Sequence, residues 1–236
     1  MSETRPARLV LVDGSGYIFR AFYALPPMSR PDGTPVNAVF GFTTMLMKLL
    51  QEMPEDDIVV VLDAGRRSFR NDLYEAYKAN REEPPPELRP QFALVREAAH
   101  AFDLPVIEVE GLEADDLIAS YARAARERGE AVLVVSSDKD LMQLVRDGVQ
   151  MWDPLKQREI GREAVIERFG VGPELVRDAL ALIGDASDNV PGVPGIGPKT
   201  AAQLLQEHGS LEGLLANLAA VKQPKRREAL EQNAER

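Results

Sequence analysis

Four short β-branched runs constrain this chain more than any other feature: Arg8 to Val12, Ile58 to Leu62, Pro105 to Val109 and Ala131 to Val135. Four or five apolar residues in a row suit strands buried on both faces, the condition of a parallel sheet covered by helices. Between these runs, Asn37 to Glu52, Glu87 to Phe102 and Glu113 to Arg128 space their apolar residues three and four apart, the period of covering helices. The alternation predicts an α/β fold with a parallel sheet over roughly the first 150 residues. After Asp153 the strand pattern stops and short helical stretches follow. The boundaries expected are therefore 1–153 for the α/β core and 154–236 for a helical subdomain.

Where acids fall on this framework decides the chemistry. In an open parallel sheet, ligands gather at the carboxyl ends of the strands. Asp13 follows the first run, Asp63 the second, and Asp138 and Asp140 the fourth, while Glu113, Asp115 and Asp116 open a helix just past the third. Each alone reads equally as a helix cap or a dipole-favoured first-turn acid. Together they would repel, by about 4 kcal/mol for two unit charges near 4 Å at an effective dielectric of 20, unless cations neutralised them. Hard divalent ions take such oxygen ligands. Two of them, about 3.5–4 Å apart, would serve hydrolysis of phosphate esters. Asp185 and Asp188 add a second acidic pair, neighbours if the turn between them is helical.

Composition narrows the field. There is no cysteine, which excludes disulfides and thiolate zinc sites, and the two histidines, His100 and His208, read as helix-face residues. The net charge of −10 argues against nucleic acid until the acids are located. Setting aside the nine acids named above from the 38 present leaves 29 against 28 bases, so the remainder is nearly neutral. The apolar runs are too short to span a bilayer, and Met1 to Thr4 lacks a signal-peptide core, so a cytoplasmic, membrane-free protein is expected.

The stretch from Ala64 to Pro86 interleaves Arg66, Arg67, Arg70, Lys78 and Arg81 with Phe69, Tyr74 and Tyr77. An insertion of that length between strand and helix suits a binding loop or lid. Arg20, beside Phe19, Phe22 and Tyr23, combines a cation with rings able to stack on a frayed base, although core packing is the commoner fate of such aromatics. Gly195, Ile196, Gly197, Lys199 and Thr200 precede or open a helix running to His208, whose first amides are suited to a phosphate. Lys222, Lys225, Arg226 and Arg227 form a basic patch that reads equally as a duplex contact or a solvated helix end.

Five blocks in order, Val12-Asp-Gly-Ser15, Glu113-Ala-Asp-Asp116, Ser137-Asp-Lys-Asp140, Gly184-Asp-Ala-Ser-Asp-Asn189 and Gly192-Val-Pro-Gly-Ile-Gly-Pro-Lys-Thr200, carry a resemblance over nearly the whole chain. It resembles the 5′-nuclease domains of bacterial DNA polymerase I and their flap endonuclease relatives. The resemblance implies a PIN-like or resolvase-like core, a helical arch at about 64–86 and a helix-hairpin-helix element at Gly195 to Thr200. It implies two Mg²⁺ or Mn²⁺ ions, with Asp13, Asp63, Glu113 and Asp115 nearer one, Asp138, Asp140, Asp185 and Asp188 nearer the other, and Asp116 bridging or acting through water. Several of these acids would reach the metals only through water. Tyr77, Lys78 and Arg81 match the arch motif, in which the lysine and arginine engage the scissile phosphate, and Arg70 would help thread the substrate. A K⁺ ion is implied at the hairpin loop.

The substrates implied are branched, nicked or 5′-flap DNA and RNA–DNA junctions, the protein a monomer. Family domains usually continue past the point where this chain stops at Arg236, so a truncated subdomain or a covalently linked polymerase is the expectation. Two rivals from other classes are a non-catalytic structure-specific DNA-binding fragment and a metal-dependent endoribonuclease.

Overall fold

Alternating apolar runs and helical repeats fold as a wound sheet. The computed structural model describes residues 7–235, so the opening Met1 to Thr4 and the final Arg236 lie outside the described residues. Two units are distinguished: residues 1–69, 82–141 and 147–159, and residues 70–81, 142–146 and 160–236. Residues 70–81, expected within the core, thus group with the second unit.

In the first unit, β1 (Leu9–Asp13), β2 (Asp57–Val61), β3 (Val106–Ile107), β4 (Val132–Val135) and β5 (Val149–Asp153) join β6 (Arg158–Ile160) in one mostly parallel sheet ordered β3-β2-β1-β4-β5-β6. Val10, Leu11 and Val12 of β1 are fully buried, as a central strand covered on both faces demands. β1 pairs in parallel with β2 on one side and β4 on the other. The strand order therefore reverses at β1 and β4, and ligands of open α/β sheets bind beyond the carboxyl ends of such strands.

The helices here are α1 (Gly14–Ala24), α2 (Asn37–Glu52), α3 (Phe69–Leu73), α4 (Gln91–Ala101) and α5 (Ala114–Glu127), α3 lying across the boundary between units. Phe42, Leu46 and Leu49 of α2 and Val95 and Ala99 of α4 pack with the sheet residues Val10, Val12, Ile58 and Val60. Each such fully buried large side chain contributes about 1.5–3 kcal/mol. Gln91, fully buried, accepts from the Ala38 and Val39 amides and donates to Asn37, satisfying the first turn of α2. Of the arch expected at about 64–86, only the single turn-and-a-half α3 is helical; residues 75–80 form turns, Ser68 bridges to Gly111, and the remainder is irregular.

The second unit holds α6 (Arg162–Phe169), α7 (Val176–Ile183), α8 (Pro198–His208), α9 (Leu211–Ala216) and α10 (Pro224–Gln232), with a two-stranded antiparallel ribbon of β7 (Gly184–Asp185) and β8 (Val190–Pro191). Strands β6, β7 and β8 correct the expectation that strands end at Asp153. They are two or three residues long, too short to leave a periodic signature. Among the described residues no helix is long and apolar enough to cross a membrane.

Candidate active site

Seven of the nine acids singled out in the sequence belong to the first unit. Asp13 is both the last residue of β1 and the N-cap of α1. Its Oδ1 accepts from the Gly16 amide at 2.9 Å and its Oδ2 from the Ser136 hydroxyl at 2.7 Å. Gly16 is required there, because an added Cβ would stand 2.7 Å from Asp13 Oδ2. The carboxylate is 8% exposed, and burial pushes its pKa above the ordinary aspartate value. The charges of Asp138 and Asp63 push in the same direction, while the two hydrogen bonds pull it down.

Asp63 lies two residues past β2. Its amide donates to the Ser15 hydroxyl at 2.8 Å and its Oδ1 accepts from the Ala114 amide at 2.7 Å, tying the end of β2 to the start of α5. Glu113 is the N-cap of α5 and is buried, with Oε1 accepting from Ser68 at 2.9 Å. Asp116 accepts from the Glu113 amide at 3.0 Å, the helix-capping role that its position allowed from the start. Asp115 stands half-buried in the same first turn. Beyond β4, the exposed Asp138 donates its amide to the Ser136 hydroxyl at 3.0 Å and accepts the Asp140 amide at 2.8 Å. Asp140 pairs with Lys139 at 2.9 Å. Arg20 donates to the Ser137 hydroxyl. Phe22 packs against the core, Phe19 meets Phe92 edge-on at 5.9 Å and Tyr23 meets Phe22 edge-on at 5.2 Å, so of the three aromatics beside Arg20 Tyr23, 70% exposed, presents the most ring to solvent.

The other two acids belong to the second unit. Asp185 and Asp188 do not share a helical turn. Asp185 lies in β7 and Asp188 in the loop of the ribbon, where its amide donates to Asp185 Oδ1 at 3.4 Å. Gly184 and Gly192 make that ribbon possible: a Cβ on Gly192 would stand 2.2 Å from the Ile183 carbonyl carbon and oxygen. Around Asp188 gather the arch residues. The Tyr77 hydroxyl donates to Oδ2 at 2.9 Å, Lys78 Nζ lies 3.8 Å from Oδ2, and Arg81 reaches Oδ1 at 2.5 Å. Lys78 holds a left-handed backbone (φ 54°) with its amide on the Asp188 carbonyl, and Asn80 and Asn189 stitch the two segments together. Arg70 stacks its guanidinium 6.0 Å from the centre of the Tyr77 ring.

The loop before α8 buries Ile196 and leaves Gly195, Gly197 and Lys199 exposed, with Thr200 half-buried. Gly195 takes φ 79°, and a Cβ on either glycine would meet nothing in the chain. Their smallness leaves the backbone open to an approaching ligand. No side chain caps α8, whose first amides are therefore available to an anion.

Sequence reasoning missed the serines: Ser15, Ser68 and Ser136 each hold one of the acids or its backbone. The available signal was the placement of Ser15 and Ser136 two residues from acids at strand ends, whereas Ser68, between Arg67 and Phe69, carried none.

Every donor named in the first unit's acidic edge is a carboxylate oxygen, the ligand type of hard divalent cations. Among the described residues no group of three or more acidic or histidine side chains is arranged to hold an ion as it stands.

Residues 8–170 match the family described as 5′-3′ exonuclease, N-terminal resolvase-like domain, and residues 171–236 match 5′-3′ exonuclease, C-terminal SAM fold. DNA polymerase I of Rhizobium leguminosarum is 56% identical over 94% of this chain, which spans 23% of that protein's length. A 5′-3′ exonuclease of Aquifex aeolicus is 41% identical over 89% of this chain and 72% of its own. The fold also matches bacteriophage T5 flap endonuclease in a pseudo-enzyme-product complex with DNA and metal ions (25% identity, TM-score 0.79, 96% of this chain and 85% of that one). T5 5′-exonuclease with bound zinc matches equally well, over 96% of this chain and 84% of its own.

Proposed function

Because this chain belongs to the 5′-3′ exonuclease family, we propose that it hydrolyses DNA phosphodiesters at 5′ ends and flaps with the help of divalent cations. The observation that carries the reading is the buried carboxylate of Asp13 at the point where strand order reverses, raised in pKa by burial and by the neighbouring Asp63 and Asp138. A fold retains such mutual repulsion where cations relieve it.

Asp13, Asp63, Glu113, Asp115, Asp116, Asp138 and Asp140 would hold the ions, directly or through water, with Asp185 and Asp188 assigned to the same task by resemblance. Two Mg²⁺ or Mn²⁺ ions would supply an activated water and neutralise charge on the phosphate oxygens. The chain's own part is to fix the carboxylates from behind. Gly16, Ala114 and Asp140 offer amides and Ser136 a hydroxyl, so Asp13, Asp63 and Asp138 are oriented by neutral donors. Lys78 and Arg81 provide cations for the scissile phosphate, the arginine capable of two parallel hydrogen bonds. Tyr77 and Arg70 support them. Arg20 and the exposed Tyr23 offer a cation and a ring to an unpaired base.

Gly195, Ile196, Gly197, Lys199 and Thr200 would take the backbone of the duplex. Such contacts read shape and respond to salt, with little base preference. A K⁺ ion at this loop belongs to the same reading, supported by its open backbone. RNA–DNA junctions, as left by primers, fit the same chemistry, and in polymerase I relatives a polymerase would follow on the same chain.

The test is a 5′-flap DNA labelled at its 5′ end, incubated with the purified chain and Mg²⁺, with and without chelator. Metal-dependent release of short 5′ products, abolished in Asp13→Ala and Asp138→Ala while flap binding persists, is the expected result. Binding without cleavage would leave a structure-specific DNA-binding fragment, and preference for single-stranded RNA would point to an endoribonuclease.

A further inference from the structure

We infer that Ser136 is a positioning residue that couples Asp13 to Asp138 and thereby sets the affinity of the acidic edge for its divalent cations. The inference rests on the proposed reading of these two acids as cation ligands.

Ser136 directly follows β4 and is 3% exposed. Its amide is fixed on the Trp152 carbonyl at 3.1 Å, so the residue is held in register by the neighbouring strand β5. Its hydroxyl has two partners. The Asp138 amide lies 3.0 Å from Oγ, and Asp13 Oδ2 lies 2.7 Å from it.

A hydroxyl carries one proton and two lone pairs. The Asp138 amide can only donate, so it takes a lone pair, and the one proton goes to Asp13 Oδ2. No rotamer of the hydroxyl proton serves both partners in any other way. Ser136 therefore converts the backbone position of Asp138, on one strand end, into the orientation of a carboxylate on the next.

The Gly16 amide holds the other oxygen, Oδ1, at 2.9 Å. Held at one point on each oxygen, the Asp13 carboxylate cannot rotate, and each oxygen keeps a further lone pair for an ion. A lysine in place of Ser136 would hold the carboxylate as firmly but would cancel the charge that draws the cation. The neutral hydroxyl orients without cancelling. Hydrogen-bonding partners behind metal ligands characteristically tune affinity in this way.

The experiment compares Ser136→Ala and Ser136→Thr with the parent, using Asp13→Ala and Asp138→Ala as references. Mn²⁺ binding is read by electron paramagnetic resonance without DNA, and flap cleavage is titrated with Mg²⁺. Ser136→Ala is expected to weaken Mn²⁺ binding and raise the Mg²⁺ midpoint by about 10-fold or more, with the rate at saturating Mg²⁺ recovering to near the parent value. Ser136→Thr keeps the hydroxyl and should restore the midpoint.

A purely structural role would lower thermal stability and leave the midpoint unmoved. That outcome in Ser136→Ala, with Asp13→Ala and Asp138→Ala failing to bind Mn²⁺, overturns the serine assignment alone. If the two aspartate variants bind Mn²⁺ as the parent does, the underlying ligand reading falls, and this inference with it. Should the threonine variant fail to fold, the alanine variant's separation of midpoint from saturating rate still decides.

Discussion

Replacing Asp13 by asparagine should make the protein more stable when divalent cations are absent. The side chain is 8% exposed, and burying a carboxylate charge costs several kcal/mol even after the surroundings relax. Repulsion from Asp63 and Asp138 adds to that cost. Against it stand the hydrogen bonds from Gly16 and Ser136. Asparagine can keep both, accepting from Gly16 and donating to the Ser136 oxygen, but each falls from a charge-assisted to a neutral bond, a loss of about 1 kcal/mol apiece. The balance favours the variant by about 2 kcal/mol, or about 4–8 °C in Tm for a chain of this size.

The pH dependence has a definite sign. Because the folded pKa of Asp13 lies above its unfolded value, the native state binds the proton more tightly, and the parent loses stability as pH rises through that window. The variant has no such group, so its advantage should be complete above the folded pKa and vanish as pH falls below about 3.8, the unfolded value. Thermal melts from pH 4 to 8 in chelator measure this directly, since other titrating groups are common to both proteins. Adding Mg²⁺ should then raise the parent's Tm and close the gap. An asparagine variant that melts below the parent at neutral pH in chelator, or a gap independent of pH, would refute the reasoning.

Three other perturbations address different parts of the chain. Lys78→Ala should slow single-turnover flap cleavage by about 10²-fold, the usual cost of losing one donor to developing charge, with binding measured by anisotropy changed far less. Gly192→Ala places a Cβ 2.2 Å from the Ile183 carbonyl and should cost about 3 kcal/mol or more, seen as faster amide exchange across 184–192 together with lost cleavage. Asp56→Ala strands Arg8, whose amide and guanidinium both donate to that buried carboxylate, and should cost about 3–5 kcal/mol in denaturant unfolding while leaving the cleavage rate of folded protein near the parent's.

The sheet was legible because strands buried on both faces have no polar alternation to hide them. All four runs became strands, although the third shrank to Val106–Ile107. Helix α1 was not legible. Gly14 and Gly16, poor helix formers, occupy its first turn for close packing: a Cβ on Gly14 would stand 2.6 Å from Leu62 Cδ2 and one on Gly16 2.7 Å from Asp13 Oδ2. The fifth strand, Val149–Asp153, alternates buried and exposed positions and gave no continuous apolar run. In the site, acids at strand ends could be placed from topology alone. Which hydroxyl faces which carboxylate depends on rotamers and register across strands, and no spacing in one sequence encodes that. The pairing of residues 76–81 with 185–189 is likewise a tertiary fact without a local signature.

Asp13, Asp63 and Asp138 on the one hand and Asp188 on the other are handled by opposite electrostatic means. Among the described residues Asp13, Asp63 and Asp138 accept from amides and a serine hydroxyl, so they are oriented while their charge is retained. Asp188 instead lies within 4 Å of Lys78 and Arg81 and accepts from Tyr77, so its charge is largely cancelled inside its own unit. Orientation by neutral donors sacrifices stability, because the repulsion stays, and on the proposed reading this is what suits the first edge to cations. Orientation by cations weakens the pull of Asp188 on a metal relative to the first edge and keeps two positive groups folded in place. Phosphate chemistry needs both a negative edge that gathers metal and fixed cations that meet the phosphate. Had serine and lysine been exchanged between Ser136 and Lys78, the same acids on the same fold would supply neither.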